Sequence, residues 1–180
     1  VAATLSRDGH PVIIGDAGNR ELRSTPSLIL IEDRTALVGQ MAVDAMELYP
    51  QKNFIRFFKR FFGTGQPVFI DSLGNSWFSE TLAAIMLKKL KYDASLATME
   101  SIEQLVLTVP AHYNDLQRKS VLLAAQMADM EVNAIIEEPV AAALSFSATH
   151  ASPDEITLVY DFGGGTFDIS VLRISNGIFE

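Results

Sequence analysis

The residues Ile156 to Ile174 constrain this chain most. An apolar run, Ile156-Thr-Leu-Val-Tyr160, stops at Asp161. Three consecutive glycines (Gly163, Gly164, Gly165) follow after Phe162, then Thr166, Phe167, a second aspartate at Asp168, and another apolar run. The first run has the β-branched, continuously apolar character expected of a strand buried on both faces. The glycines predict a tight turn whose backbone N–H groups no side chain obstructs, as a phosphate chain requires. The two aspartates fall one on each side of that turn, where their carboxylates can hold Mg²⁺ through its waters. The segment is not a Walker A loop, because no Gly-Lys-Ser/Thr follows it. Nor does it have the Gly-x-Gly-x-x-Gly spacing of a dinucleotide site, and it opens onto a strand rather than a helix. Glycine-rich hairpins are common and an aspartate at a strand end is usually a turn former, but three glycines between two in-register aspartates point to a polyphosphate and its metal.

Composition narrows the function classes. The chain has 180 residues and is 48% apolar, ample for a core in one domain or two small ones. It has no cysteine, which excludes a disulfide framework, a cysteine-ligated zinc site and a cysteine nucleophile. A net charge of -8 and a pI near 4.8 argue against nucleic-acid binding, which calls for a basic face. No apolar run approaches the roughly twenty residues that span a bilayer, so no membrane partner is expected. Val1 opens into strand-like sequence without the basic start or cleavage site of a signal peptide. Both ends look cut, Val1 inside one strand and Glu180 just past another, as in a piece of a larger protein.

The remaining pattern alternates. Val1–Leu5 and Val12–Ile14 read as paired strands across the turn Arg7-Asp8-Gly9-His10-Pro11. Leu28–Ile31 is a short strand, Gln40–Tyr49 a helix stopped before Pro50, and Phe54–Phe62 a second helix ended by Gly63. A small β segment pairs Val68–Ile70 with Trp77-Phe78. The longest helix, Ser79–Leu96, takes Ser79 as N-cap and carries apolar Leu82, Ile85, Met86, Leu87 and Leu90. Then follow strand Leu105–Val109, helix Asp115–Met130, strand Val132–Ile136, helix Pro139–Phe146 and strand Ile156–Tyr160, the alternation of an α/β domain. Three spots invite chemistry. Aromatics surround Lys59 in Phe57–Phe62, and taken locally they are core-facing or a basic amphipathic surface with Lys59 as a solvated tip. Glu137-Glu138-Pro139 sits at a strand-to-helix junction, where acidic residues are ordinary dipole partners. Between Val109 and Arg118 the strand ends at a proline turn, and Asn114 or Asp115 caps the next helix. His112 in that turn has no metal-ligand companion at helical or strand spacing and reads as structural.

The order of these segments resembles the ATPase domain of the 70-kDa heat-shock chaperones, the DnaK-type family. The matching words are Gly18-Asn-Arg20 through Thr25-Pro26-Ser27, Leu37-Val-Gly39, Phe58-Lys59-Arg60, Thr108-Val-Pro110-Ala through Asn114-Asp115-Leu-Gln-Arg118, Glu138-Pro139-Val-Ala-Ala-Ala-Leu144 and Tyr160-Asp161 through Asp168. The resemblance implies an α/β, actin-like (ribonuclease-H-like) ATPase fold, of which this chain holds the first lobe of the nucleotide-binding domain. Residues 1–26 and 79–155 would form the core subdomain of that lobe, 27–78 an inserted smaller subdomain, and 156–180 the start of the second lobe. It implies ATP/ADP and Mg²⁺ as cofactors and ATP hydrolysis in the full-length protein. Lys59 matches the lysine that reaches the terminal phosphate, and Glu138 the glutamate that positions the attacking water. Asp161 and Asp168 match aspartates around Mg²⁺ and the hydrolytic water, Gly163, Gly164 and Gly165 the phosphate turn, and Thr166 the threonine beside the γ-phosphate. Pro110 and Arg118 match positions that relay nucleotide state between lobes.

The family implies unfolded client polypeptides, a J-domain co-chaperone and a nucleotide exchange factor as partners, a cytoplasmic location and a role in the stress response. This chain departs from the family in some respects. The first phosphate loop expected before Val1 and the adenosine pocket expected after Glu180 are not in this sequence, so the fragment alone is expected to hydrolyse ATP poorly or not at all. The connector from Gly63 to Ser79 is short, and with Lys59-Arg60-x-x-Gly63 it resembles the HscC-type bacterial subgroup. Glu137 stands where many members have Asn, adding charge beside the site. A small-molecule kinase or an actin-like filament protein of the same superfold are the other readings. The first needs a substrate pocket and the second needs subunit contacts.

Overall fold

A computed structural model describes residues 1–5, 10–19, 21–32, 35–147, 154–162, 167–175 and 178–179. They form two compact units. One comprises Val1–Gln104 with Leu116–Glu131, the other Leu105–Asp115 with Val132–Glu180.

The first unit opens with strands β1 (Ala2–Leu5) and β2 (Pro11–Ile14), which pair antiparallel from Ala2 opposite Ile14 to Leu5 opposite Pro11. The turn expected between them, Arg7 to Gly9, lies outside the described residues. Strand β3 (Ile29–Glu32) is the centre of a three-stranded sheet between β4 (Thr35–Val38) and β5 (Phe54–Ile55). Helix α1 (Gln40–Leu48) follows β4. A second helix was expected over Phe54–Phe62, and the structure corrects this. Phe54 and Ile55 pair with Leu30 and Ile29 as strand, and Phe57 takes a left-handed φ of 57°. Only Phe58–Phe61 coils, as one 3-10 turn. Aromatic and β-branched residues beside an open strand gain more from the ladder than from a short helix.

Strands β6 (Phe69–Ile70) and β7 (Ser76–Trp77) make a hairpin around Asp71. Asp71 accepts the N–H groups of Leu73 (3.0 Å) and Asn75 (2.8 Å), the Asn75 amide (2.9 Å) and the Trp77 indole N–H (3.0 Å). Helix α2 spans Ser79–Thr98, but Ser79 is not its cap. Phe78 holds the extended residue before the helix, and the buried Ser79 hydroxyl turns to the Glu80 carboxylate at 3.1 Å. The core joins these elements: Ile29, Val38, Ile55, Phe58, Leu82 and Met86 pack together, with Trp77 and Ile85 against them. Each such side chain contributes about 1.5–3 kcal/mol by leaving water. Helix α3 (Asp115–Met127) completes the unit, burying Val121, Ala124 and Ala125.

In the second unit, strand β8 (Gln104–Val109) pairs with β9 (Glu131–Glu137), and helix α4 (Glu138–Ser147) starts on the very next residue. Strands β10 (Asp154–Phe162) and β11 (Phe167–Ser175) form a long antiparallel hairpin, extended by β12 (Ile178–Phe179). Helix α4 covers one face of it, where Val140 and Ala143 meet Val159, Leu172 and Ile174. The expectation of a first strand buried on both faces fails here. Ile156, Leu158, Tyr160 and Phe162 are 62–75% exposed, because among the described residues a single helix packs on the hairpin.

Candidate functional site

The second unit gathers the carboxylates. The β10–β11 register sets Asp161 opposite Asp168, with Phe162 opposite Phe167 as the last pair of the ladder. Side chains alternate across a strand, so both aspartates share the face on which Val159, Leu172 and α4 pack. Gly163, Gly164, Gly165 and Thr166, expected to cradle phosphate, lie outside the described residues.

Two further segments bring chemistry to Asp168. Strand β8 ends at Pro110, whose side chain is fully buried, and the Tyr113 N–H closes a turn onto the Pro110 carbonyl at 3.1 Å. That turn carries His112 and Tyr113, their rings edge to face at 5.6 Å and 79°. His112 Nδ1 stands 3.4 Å from Asp168 Oδ1. The sequence offered His112 no companion at helical or strand spacing; in the structure its neighbour is a carboxylate distant in sequence. Tyr113 is buried, and its hydroxyl pKa is pushed up to about 12 by burial first, then by the negative charges of Glu138 and Asp168. Glu138 is half-buried in the first turn of α4, where the helix dipole favours a carboxylate. Glu137 closes β9, also half-buried.

Asp168 has an unusual balance of partners. Its Oδ2 is buried and, among the described residues, accepts no hydrogen bond. An orphaned carboxylate oxygen costs about 1–3 kcal/mol or more, so it marks a place where a donor or cation is wanted. Among the described residues no group of three His, Cys, Asp or Glu could ligate a metal directly. Magnesium does not need one, because it keeps several waters and takes one or two carboxylates. Asp161 and Asp168, opposite each other and with Asp168 Oδ2 unpartnered among the described residues, fit a hydrated Mg²⁺.

Lys59 and Arg118 belong to the first unit. Lys59 sits in the 3-10 turn between buried Phe58 and buried Phe62. The turn is fixed from below. Phe58 enters the core beside Leu82 and Met86, and the Gly63 N–H donates to Ser120 Oγ on α3 at 3.1 Å. Gly63 has a φ of 75°, and a Cβ there would press on Gln117 at 3.1 Å, so a glycine is required. Arg60 folds over the Phe57 ring at 5.0 Å. Lys59 is thus a half-exposed cation on a rigid turn, not a floating tip. Arg118 lies half-buried in the opening of α3, immediately before Lys119 and two residues ahead of Ser120.

In the second unit, then, Asp161 stands opposite Asp168 and Glu138 opens a helix, while in the first unit Lys59 sits on an anchored 3-10 turn. A family model described as Hsp70 protein matches residues 64–180, and the chain belongs to the Hsp70 family. That family comprises chaperones whose nucleotide-binding domain has the actin-like ATPase fold and uses ATP with Mg²⁺. The mixed α/β architecture and small sheets are consistent with it. No helix among the described residues is long and apolar enough to cross a membrane.

Proposed function

We propose that this chain is the first lobe and the opening hairpin of the second lobe of a DnaK-type ATPase domain. In that role it binds and hydrolyses Mg-ATP to control an attached client-binding domain. Residues 1–26 with 79–155, 27–78, and 156–180 are its core subdomain, inserted subdomain and second-lobe start. The exposed apolar face of the hairpin, Ile156, Leu158, Tyr160 and Ile169, is then the surface on which more of a second lobe packs. The observation that carries the reading is the Asp161–Asp168 pair, one buried oxygen of which has no partner among the described residues.

Phosphoryl transfer needs positioning and charge neutralisation more than covalent chemistry. Mg²⁺, if bound there, would supply Lewis-acid stabilisation of phosphate charge. Asp161 and Asp168 would hold its waters, Glu138 would orient the attacking water, and Lys59 would neutralise the terminal phosphate. Gly163, Gly164, Gly165 and Thr166 line the phosphate chain, while Pro110 and Arg118 relay nucleotide state. The partners are unfolded polypeptides, a J-domain co-chaperone and a nucleotide exchange factor, in a cytoplasmic protein of the HscC-like bacterial subgroup. ATP would shift the population between weak and tight client grip.

Single-turnover ATP hydrolysis by the full-length protein tests this, with and without an extended apolar peptide and a J-domain protein. Stimulation by either, lost in Asp168→Asn and Lys59→Ala, supports the reading. A basal rate that neither ligand changes, or phosphate transfer to a small molecule, overturns it in favour of a kinase or filament ATPase.

A further inference from the structure

We propose that His112 is a positioning residue that holds Asp168 by one oxygen and so reserves the other for the metal shell. The proposal rests on the role given to Asp168 above, and it assigns to this chain an imidazole–carboxylate pair that the sequence resemblance does not contain.

Three observations carry it. His112 Nδ1 lies 3.4 Å from Asp168 Oδ1, while Oδ2 of the same carboxylate is buried and unpartnered among the described residues. The two oxygens are therefore not equivalent: one lies beside an imidazole nitrogen, and the other is buried without a hydrogen-bond partner among the described residues. The imidazole is itself held. Its neighbour Tyr113 is buried against Glu138 and Asp168 and meets the His112 ring edge to face. The Pro110–Tyr113 turn fixes the backbone beneath both residues. Finally, the remaining face of His112 is open, its side chain being 59% exposed, so the ring is not there to fill the core.

A carboxylate that rotates freely offers a hydrated cation either oxygen at random. One pinned through Oδ1 presents Oδ2 in a single direction. For a neutral imidazole, the carboxylate at Nδ1 selects the Nδ1–H tautomer, because only a protonated nitrogen can donate. Groups that orient a metal-binding carboxylate in this way contribute about 10- to 100-fold in metal affinity or activity when removed.

The test uses the full-length protein. Two-bond ¹H–¹⁵N spectra of the nucleotide-free form read the His112 tautomer directly, and the Nδ1–H form is expected. Asp168→Asn is expected to shift the His112 ring resonances. His112→Ala is expected to lower kcat for ATP hydrolysis about tenfold or more with KM for ATP little changed, and to weaken Mg²⁺ binding to the ADP complex by calorimetry. His112→Asn, whose amide N–H reaches the position of Nδ1, should restore most of both. His112→Gln, whose amide reaches that of Nε2, should not. An Nε2–H tautomer, His112 resonances indifferent to Asp168→Asn, or an Asn variant no better than Ala overturns the proposal. A wild-type protein without ATPase activity would sink the proposed function instead, and the spectra would still decide whether His112 holds Asp168.

Discussion

Removing the Lys89 ammonium should destabilise the first unit more than any other single surface-to-core change. Lys89 on α2 sits between two carboxylates, 3.0 Å from Asp16 Oδ1 and in direct contact with Asp93 Oδ2 one turn along the helix. Asp16 also accepts the N–H groups of Gly18 (2.8 Å) and Gln40 (3.1 Å), which ties the segment after β2 and the start of α1 to α2. The Asp16 side chain is 0% exposed, that of Asp93 1% and that of Lys89 12%, so bulk water and salt screen little. At about 3 Å and an effective dielectric near 20, each ion pair is worth roughly 5 kcal/mol before desolvation. Lys89→Met leaves two buried carboxylates with no counter-charge, and Asp93 Oδ1 already lacks a hydrogen bond among the described residues. Breaking a buried pair from one side costs about 3–5 kcal/mol.

The assay is urea unfolding followed at Trp77, the chain's only tryptophan, which packs on the core of this unit. With a slope of about 2 kcal/mol per molar, the midpoint at pH 7 should fall by about 1.5–2.5 M. The pH dependence separates charge from packing. Burial alone would raise the Asp16 pKa. The Gly18 and Gln40 amides and then Lys89 outweigh it, holding the pKa below the usual 3.8. In the wild type this stabilisation is therefore present above about pH 4 and lost as pH falls through the depressed folded value. Without Lys89 burial dominates more, so protonating a carboxylate relieves the variant and its deficit should shrink from pH 7 to pH 5. Lys89→Met with Asp93→Leu should recover most of the loss, since Asp16 keeps its two amides. A midpoint shift under about 0.5 M at pH 7, or a deficit unchanged at pH 5, would refute the electrostatic account.

Three other outcomes follow from the geometry. Gly39 has a φ of 69°, and an added Cβ would meet Asp16 Oδ2 at 2.3 Å and Thr25 Cγ2 at 2.8 Å, whereas Gly65, with a φ of 66°, has nothing within 4 Å. Gly39→Ala should thus cost about 2–4 kcal/mol by urea titration against about 1 for Gly65→Ala, and equal costs would show that the contact with Asp16 is unimportant. The Asn75 amide, the Trp77 indole and the backbone N–H groups of Asn75 and Leu73 hold the Asp71 pKa down at about 2 against partial desolvation. The β6–β7 hairpin should therefore loosen only as pH falls from about 4 toward 2, seen as a Trp77 emission change absent in Asp71→Asn. Tyr113 should stay protonated to about pH 12, so its contribution is complete below pH 10 and lost as pH rises through 12. The stability gap between wild type and Tyr113→Phe should shift by up to about 3 kcal/mol over that range, and a constant gap would show that the hydroxyl is not buried against Glu138 and Asp168.

The fold was legible wherever periodicity was long. Helix α2 and the β8–α3–β9–α4 alternation could be read because each repeats its period over several turns or residue pairs. The stretch Phe54–Phe62 failed for a physical reason. Phe54–Phe62 has apolar residues at helical spacing, yet six of its nine side chains are aromatic or β-branched and β3 offers Phe54 and Ile55 a free edge. Tertiary pairing outbids a weak local preference there. Strand β4 escaped notice because its four residues carry no clear period, and only the register, from Ile29 opposite Val38 to Glu32 opposite Thr35, makes it a strand.

The site divides along the same line. Asp161 and Asp168 could be found because a hairpin converts sequence symmetry about a turn into spatial opposition: residues equally far from the turn's centre must face each other. No such rule links His112 to Asp168, which are separated by two strands and two helices. A weaker signal was available. In α/β folds the loops at the carboxyl ends of strands collect functional groups. His112 lies three residues past the end of β8, and Glu138 one residue past the end of β9. The family words drew attention to Pro110 and Arg118 on either side, while the histidine between them fell under a search for metal ligands at fixed spacing. Spacing finds partners that share an element; His112 and Asp168 share only a carboxylate oxygen and the space around it, and that is visible only once the chain has folded.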